Sequence, residues 1–247
     1  MKIEEKIKSR FLYSDGLNLF KIFYYNFQFL KSKVKPRIIN ANWALDLIVN
    51  VILKKIKKGV YVDVGCHHPL INNNTYYLYK RGWSGINIDL DFNSIEMFNY
   101  FRPGDDNYKT AVSNKKGEAK LYFFHNRAPK NTLNKSNGRG AKSVKKIYTE
   151  KLDNILKKSK IKKIDFLTID VEGNELNVLK GLNFNKYKPK VISIELINQN
   201  VNSFYEQKIE YIQKSKIYKF LIKKNYKLAN WVHDDLVFVS NRFLNKK

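Results

Sequence analysis

Between Val60 and Ser240, short apolar runs alternate with segments of helical spacing. Val60-Tyr61-Val62-Asp63-Val64 is apolar at nearly every position and rich in β-branched residues. That pattern predicts a strand buried on both faces of a parallel sheet. Ile86 to Leu90, Ala119 to Phe124, Ile164 to Ile169, Val191 to Leu196 and Leu236 to Ser240 are further strands. Before the first, Ala44, Leu47, Ile48, Val51 and Ile52 follow helical spacing. Lys54, Lys55, Lys57 and Lys58 suit the negative end of that helix, and Gly59 stops it. Asn93 with Glu96 reads as a capping box for a helix to Phe101, and Ser203 with Glu206 as another. Residues 17–30 read as an aromatic-rich helix. Residues 126–146 read as a loop, with Pro129, Gly138, Gly140 and many lysines. The alternation predicts an α/β domain over 59–247 with a mostly parallel sheet, preceded by an N-terminal helical extension over 1–58.

Composition supports a packed globule: 43% of the 247 residues are hydrophobic. A single cysteine, Cys66, excludes a disulfide framework and a multi-cysteine zinc site within one chain, and suits a reducing cytoplasm. The longest apolar stretch, Leu17 to Leu30, is interrupted by Asn18, Lys21, Asn26 and Gln28, so no transmembrane segment is expected. Glu4 and Glu5 stand where a secretory signal would be basic. The chain is expected to be cytoplasmic. Residues 11–37, aromatic and flanked by lysines, are a candidate for peripheral contact with the inner face of the membrane.

The net charge of +25 invites a nucleic-acid partner, yet only seven of the 47 basic residues are arginine. Arginine is the preferred reader of phosphate and guanine. The charge is also uneven. Residues 61–110 hold 4 basic and 6 acidic groups, whereas 111–163 hold 16 and 3. A nucleic-acid partner is therefore not expected, and the basic segment points to an anionic acceptor instead.

Ligands of open α/β sheets bind beyond the carboxyl ends of the strands. Four predicted strands reach acidic groups there: Asp63, Asp89, Asp170 with Glu172, and Glu195. Gly65 permits a sharp turn close to a ligand, and Asp89, 24 residues later, is spaced to accept from ribose hydroxyls. The three glycines of a dinucleotide fingerprint are absent, since His67 and His68 take their place, and no P-loop follows a strand. The pattern fits an adenosine ligand without a pyrophosphate. A sulfonium such as S-adenosylmethionine matches, because carboxylates favour its positive centre and its ammonium.

The motifs Asp63-Val64-Gly65-x-His67-His68-Pro69, Asn73-Asn74-Thr75 and Tyr79-x-x-Gly82-Trp83-x-Gly85-Ile86-Asn87-Ile88-Asp89 come first. Ala111-Val112-Ser113, Gly117-Glu118-Ala119 and the block from Lys163 to Gly181 follow in order. Together they resemble the FkbM family of S-adenosylmethionine-dependent methyltransferases, from about Val60 to about Ser240. The resemblance implies a class I methyltransferase Rossmann-like sheet of seven strands, the last antiparallel and formed by a Tyr226–Ser240 hairpin. It implies O-methylation, most often of a sugar or secondary-metabolite hydroxyl, with S-adenosyl-L-methionine as cofactor, and the acceptor expected here is a hydroxyl of a sugar, glycan or glycolipid-like molecule. Asp63, Gly65, Asp89 and Ala111 would then bind the cofactor, while Asp170 and Glu172 would lie near the methyl group.

An alcohol is a poor acid, so methyl transfer to it needs a nearby base. Asp170 is placed for that role, with Glu172 raising its pKa by like charge or capping the following helix. His67 is a third catalytic candidate. His68, Arg127, Arg139 and Glu195 are candidates for substrate binding, the arginines through a phosphate or acidic sugar. Both histidines fit a turn role equally, as His233, Asp234 and Asp235 fit a hairpin turn. No ligand spacing demands a metal, and none is assigned. Two other readings remain on the same fold: an RNA methyltransferase, motivated by the charge, and a non-catalytic membrane-surface binding module.

Overall fold

A computed structural model describes residues 39–125, 128, 130–159, 161–198 and 208–245, together with Phe27. The chain divides into two units, residues 1–38 and 39–247. The helix expected over 17–30, the membrane contact over 11–37, Arg127 and the Ser203 capping box lie outside the described residues, Phe27 excepted. Among the described residues no helix is long and apolar enough to cross a membrane.

In chain order, α1 (Leu45–Ile52) leads into β1 (Val60–Val64), α2 (Tyr76–Lys80), β2 (Ser84–Asp89), α3 (Phe92–Phe101) and β3 (Asp106–Lys109). Next come β4 (Ala111–Ser113), β5 (Gly117–Phe123), β6 (Ser143–Lys151) and α4 (Leu152–Lys158). The chain continues with β7 (Phe166–Ile169), α5 (Glu175–Lys180), β8 (Val191–Glu195), α6 (Ile209–Lys214) and α7 (Lys216–Lys223). A hairpin of β9 (Tyr226–Val232) and β10 (Asp235–Ser240) precedes α8 (Asn241–Leu244). Seven strands form one sheet in the order β3-β2-β1-β7-β8-β10-β9, parallel except where β10 pairs antiparallel with β8 and β9. This is a Rossmann-like α/β sheet of the expected kind, with the antiparallel strand at the expected hairpin.

Alternation along the strands sends apolar side chains to both faces. Val62, Val64, Ile86, Ile88, Leu167 and Ile192 pack with α4, α5 and α7. On the other face Tyr61, Phe166, Val191 and Val237 pack with Leu45, Val49 and Leu53 of the α1 segment. The second face changes character toward the carboxyl ends. Asn87, Asp63, Thr168 and Ser193 are paired in register across β2, β1, β7 and β8, and all four are buried. A polar row therefore crosses the middle of an otherwise apolar sheet.

Three expectations are corrected. Ala119–Phe124 is not part of the main sheet: β5 joins β4 and β6 in a separate three-stranded sheet. The edge place belongs to β3, whose sequence Asp-Asn-Tyr-Lys is too polar to announce a strand but pairs through its backbone with β2. The loop assigned to 126–146 gives up Ser143–Lys146 to β6, which pairs with β5. The cap of α3 is Asp91, whose carboxylate accepts from the Ser94 amide at 3.0 Å, not Asn93. Side-chain reach to the third amide, more than the presence of Glu96, decides the start.

At the amino-terminal end of β7, in the middle of the sheet, Asp165 is fully buried and joins three strands. Its backbone links Val60 and Val191, and its carboxylate accepts from the Val60 amide and pairs with Lys190 at 2.5 Å. Lys190 is partly exposed, so the pair ranks between a surface bridge and a buried one. Lys190→Met is expected to destabilise the protein by about 2 kcal/mol, read as a lower midpoint in urea unfolding with an unchanged slope.

Candidate active site

The chain leaves β1 through Gly65, whose φ is +84°. A Cβ there would lie 1.7 Å from the Asp170 carbonyl oxygen, so the ends of β1 and β7 approach closely only because this residue is glycine. The Gly65 and Cys66 amides both donate to the Ile88 carbonyl, which draws the turn over β2. Asp89 fixes the turn from the other side. Its Oδ2 accepts from the His67 amide at 2.9 Å and its Oδ1 from the Asp91 amide at 2.8 Å. Each oxygen retains a lone pair for a further donor.

Beyond these turns lies a cavity of about 440 Å³, lined by Asp63, Gly65, His67, Asp89, Ala111, Asp170, Glu172 and Glu195 among others. The volume falls in the range of small-molecule sites. Eight of the eleven site residues named from the sequence thus line one cavity. His68 does not: its Nδ1 accepts from the Leu70 and Ile71 amides, which closes its own turn. Arg139 is exposed and outside the lining, and Arg127 is outside the described residues.

One end of the cavity is crowded with carboxylates. Asp170, Glu172 and Glu195 each present an oxygen within 4.8 Å of the others. Asp235 pairs in register with Glu195, so β10 adds a fourth acid, and Asp234 a fifth. Asp170 is open to the cavity, while the protein around it and the carboxylates of Asp235 and Glu172 push its pKa well above the ordinary range. Burial, then the Asp170 charge, drives Glu195 up as well. Burial and the Glu175 charge raise Glu172 to about 7, and burial with Asp234 raises Asp235 to about 7. Such a group favours a bound cation. Three hard oxygen donors suit a divalent ion as well as an organic one.

The acidic loop is held by side chains the sequence reading passed over. Glu172 adopts φ +58°, and its carbonyl accepts from the Thr132 hydroxyl at 2.6 Å and the Asn137 amide group at 2.9 Å. Asn134 donates to the Gly173 carbonyl at 3.0 Å. The loop after β5 is therefore fastened to the loop after β7. The capping role considered for Glu172 is not taken up: Asn174 holds the N-cap position of α5 without a side-chain cap bond, and Glu175 Oε1 instead ties down the preceding loop by accepting from the Val171 and Gly173 amides. At the cavity mouth the Trp43 and His233 rings stack at 5.2 Å, both on left-handed backbone. Runs of Asn, Thr and Ser around 131–137 were the available sign that this loop bonds to backbone.

Residues 63–228 match the family model of the methyltransferase FkbM domain. No curated protein matches the chain.

Carboxylates whose folded pKa is raised stabilise the fold at low pH and lose that contribution as pH rises through the folded value. For Glu172 and Asp235 the loss runs from the ordinary range near 4 to about 7. The melting temperature of the ligand-free protein is expected to fall between about pH 4 and pH 7, and Glu172→Gln with Asp235→Asn to flatten the fall. A rising profile in the parent protein would contradict the electrostatics of the cluster.

Proposed function

The chain belongs to the methyltransferase FkbM domain family, and on that premise we propose that it transfers a methyl group from S-adenosylmethionine to a hydroxyl of a sugar, glycan or glycolipid-like acceptor. The observation that carries the reading is the cavity itself, with a glycine turn and Asp89 at one end and the carboxylate cluster at the other. The residues fit the donor. Gly65 leaves no side chain between backbone and ligand, Asp89 has lone pairs for two ribose hydroxyls, and the acidic end suits a positive sulfonium and ammonium. When bound, S-adenosylmethionine supplies a methyl carbon activated by positive sulfur.

The protein's task is then to orient an acceptor hydroxyl and take its proton. Glu172 has the best matched group, because a pKa of about 7 leaves a large fraction ionised at neutral pH and still basic. Asp170 and Glu195 hold their protons more tightly than Glu172 and serve as acceptors of hydrogen bonds once a cation neutralises the cluster. His67, with its amide committed to Asp89, offers its ring to the cavity as a second polar contact. The acceptor is proposed to be anionic, drawn by the lysines of residues 111–163.

Calorimetry with S-adenosylmethionine is expected to show saturable binding that Asp89→Ala weakens at least about ten-fold, the loss of one charge-assisted hydrogen bond or more. Absence of binding to the parent protein would overturn the reading. With methyl-labelled donor at saturation and a panel of neutral and anionic glycans, Glu172→Gln should lose transfer by about 100-fold or more, far beyond any loss of donor affinity from the missing charge. Transfer at the parental rate would remove Glu172 as the base.

A further inference from the structure

We propose that Arg102, a residue outside the cavity, positions Asp63 for the amino-acid end of the methyl donor through a buried relay of Thr75 and Asn73. The inference rests on the donor site proposed above. Arg102 sits at the end of α3 and is completely buried. Its Nη1 donates to the Thr75 hydroxyl at 2.8 Å, and its Nη2 donates to Asn73 Oδ1 at 2.7 Å and to the Pro69 carbonyl. Asn73 Nδ2 in turn donates to Asp63 Oδ2 at 3.1 Å. The Thr75 hydroxyl lies 2.9 Å from both Asp63 Oδ2 and Asn73 Oδ1. Because Asn73 Oδ1 already accepts from Arg102 and from the Thr75 amide, the hydroxyl hydrogen goes to the carboxylate.

Both arms end on the same oxygen of Asp63, which fixes the rotamer and leaves the other oxygen for the cavity that Asp63 lines. Three acceptors spread around one cation require the planar fork of arginine, and a lysine could not reach them together. The rings of Tyr61, Tyr76, Tyr79 and Phe98 stand 4.9 to 5.9 Å from the guanidinium and shield it from water. The arrangement also acts on charge. Burial pushes Asp63 up to about 6, with Asp89 adding to the rise, while Arg102, Thr75 and Asn73 oppose it and keep the group ionised at neutral pH. An ionised, oriented carboxylate is the partner an α-ammonium group needs.

The test compares two ligands in the full chain by calorimetry: S-adenosylhomocysteine, and 5′-methylthioadenosine, which keeps the adenosine and thioether but lacks the amino acid. Thr75→Val is expected to weaken S-adenosylhomocysteine about ten-fold and leave 5′-methylthioadenosine within about two-fold, and Thr75→Ser to restore both. Asn73→Ala removes the other arm, should give the same split, and stands in if Thr75→Val does not fold. Equal losses for both ligands would make the loop a general scaffold, and unchanged affinities would make the relay idle. Either result overturns the proposal. A parent protein that binds neither ligand would instead overturn the donor site.

Discussion

The contact between Gly65 and the Asp170 carbonyl oxygen is the constraint on which the site depends. A side chain at residue 65 would occupy the space of that oxygen, so the first turn and the acidic loop approach only across a bare backbone. From that contact the remaining geometry follows. The turn after β1 can cross to the Ile88 carbonyl, Asp89 can hold the His67 amide, and Asp170 is delivered to the cavity beside Glu195.

A second constraint is electrostatic. Carboxylates from the ends of β7 and β8, from β10 and from the loops between them face a single space, where burial and the charge of neighbouring carboxylates raise the pKa of Asp170, Glu172, Glu195 and Asp235. Left empty, the cluster weakens the fold above neutrality; with a cation inside, the same groups become its binding energy. Functional sites commonly carry such a local cost in stability. The polar row Asn87, Asp63, Thr168 and Ser193 is the structural counterpart. It interrupts the apolar face of the sheet and gives the loop of residues 67–75 something to bond: Asn73 and Thr75 reach Asp63, and Asn74 reaches Thr168 at 3.0 Å.

Much of the fold was legible in the chain because central parallel strands must be apolar on both faces. β1, β7 and β8 announce themselves by composition within a residue or two. β3 escaped because an edge strand needs only its backbone to pair, and Asp-Asn-Tyr-Lys carries no apolar signal. β5 was seen as a strand but not as a member of another sheet, since pairing partners leave no local mark. In the site, Asp63, Gly65, Asp89, Asp170, Glu172 and Glu195 were found because ligands gather at strand ends. Arg102 gave no equivalent sign, and Asn73 stood out only as part of a family motif with no role attached to it. Their importance lies in hydrogen bonds that join residues 29 positions apart in sequence.

The sequence by itself determined the layered α/β fold, the place of the cavity and the family, because each depends on local pattern and on the order of motifs. The net charge of +25 was equally plain, and so was the acidic window within it. Only the tertiary structure decided which carboxylates meet, that His68 serves its own turn, and that a buried arginine stands behind Asp63. Distances among groups from different strands set desolvation and like-charge repulsion, and no reading along the chain contains those distances.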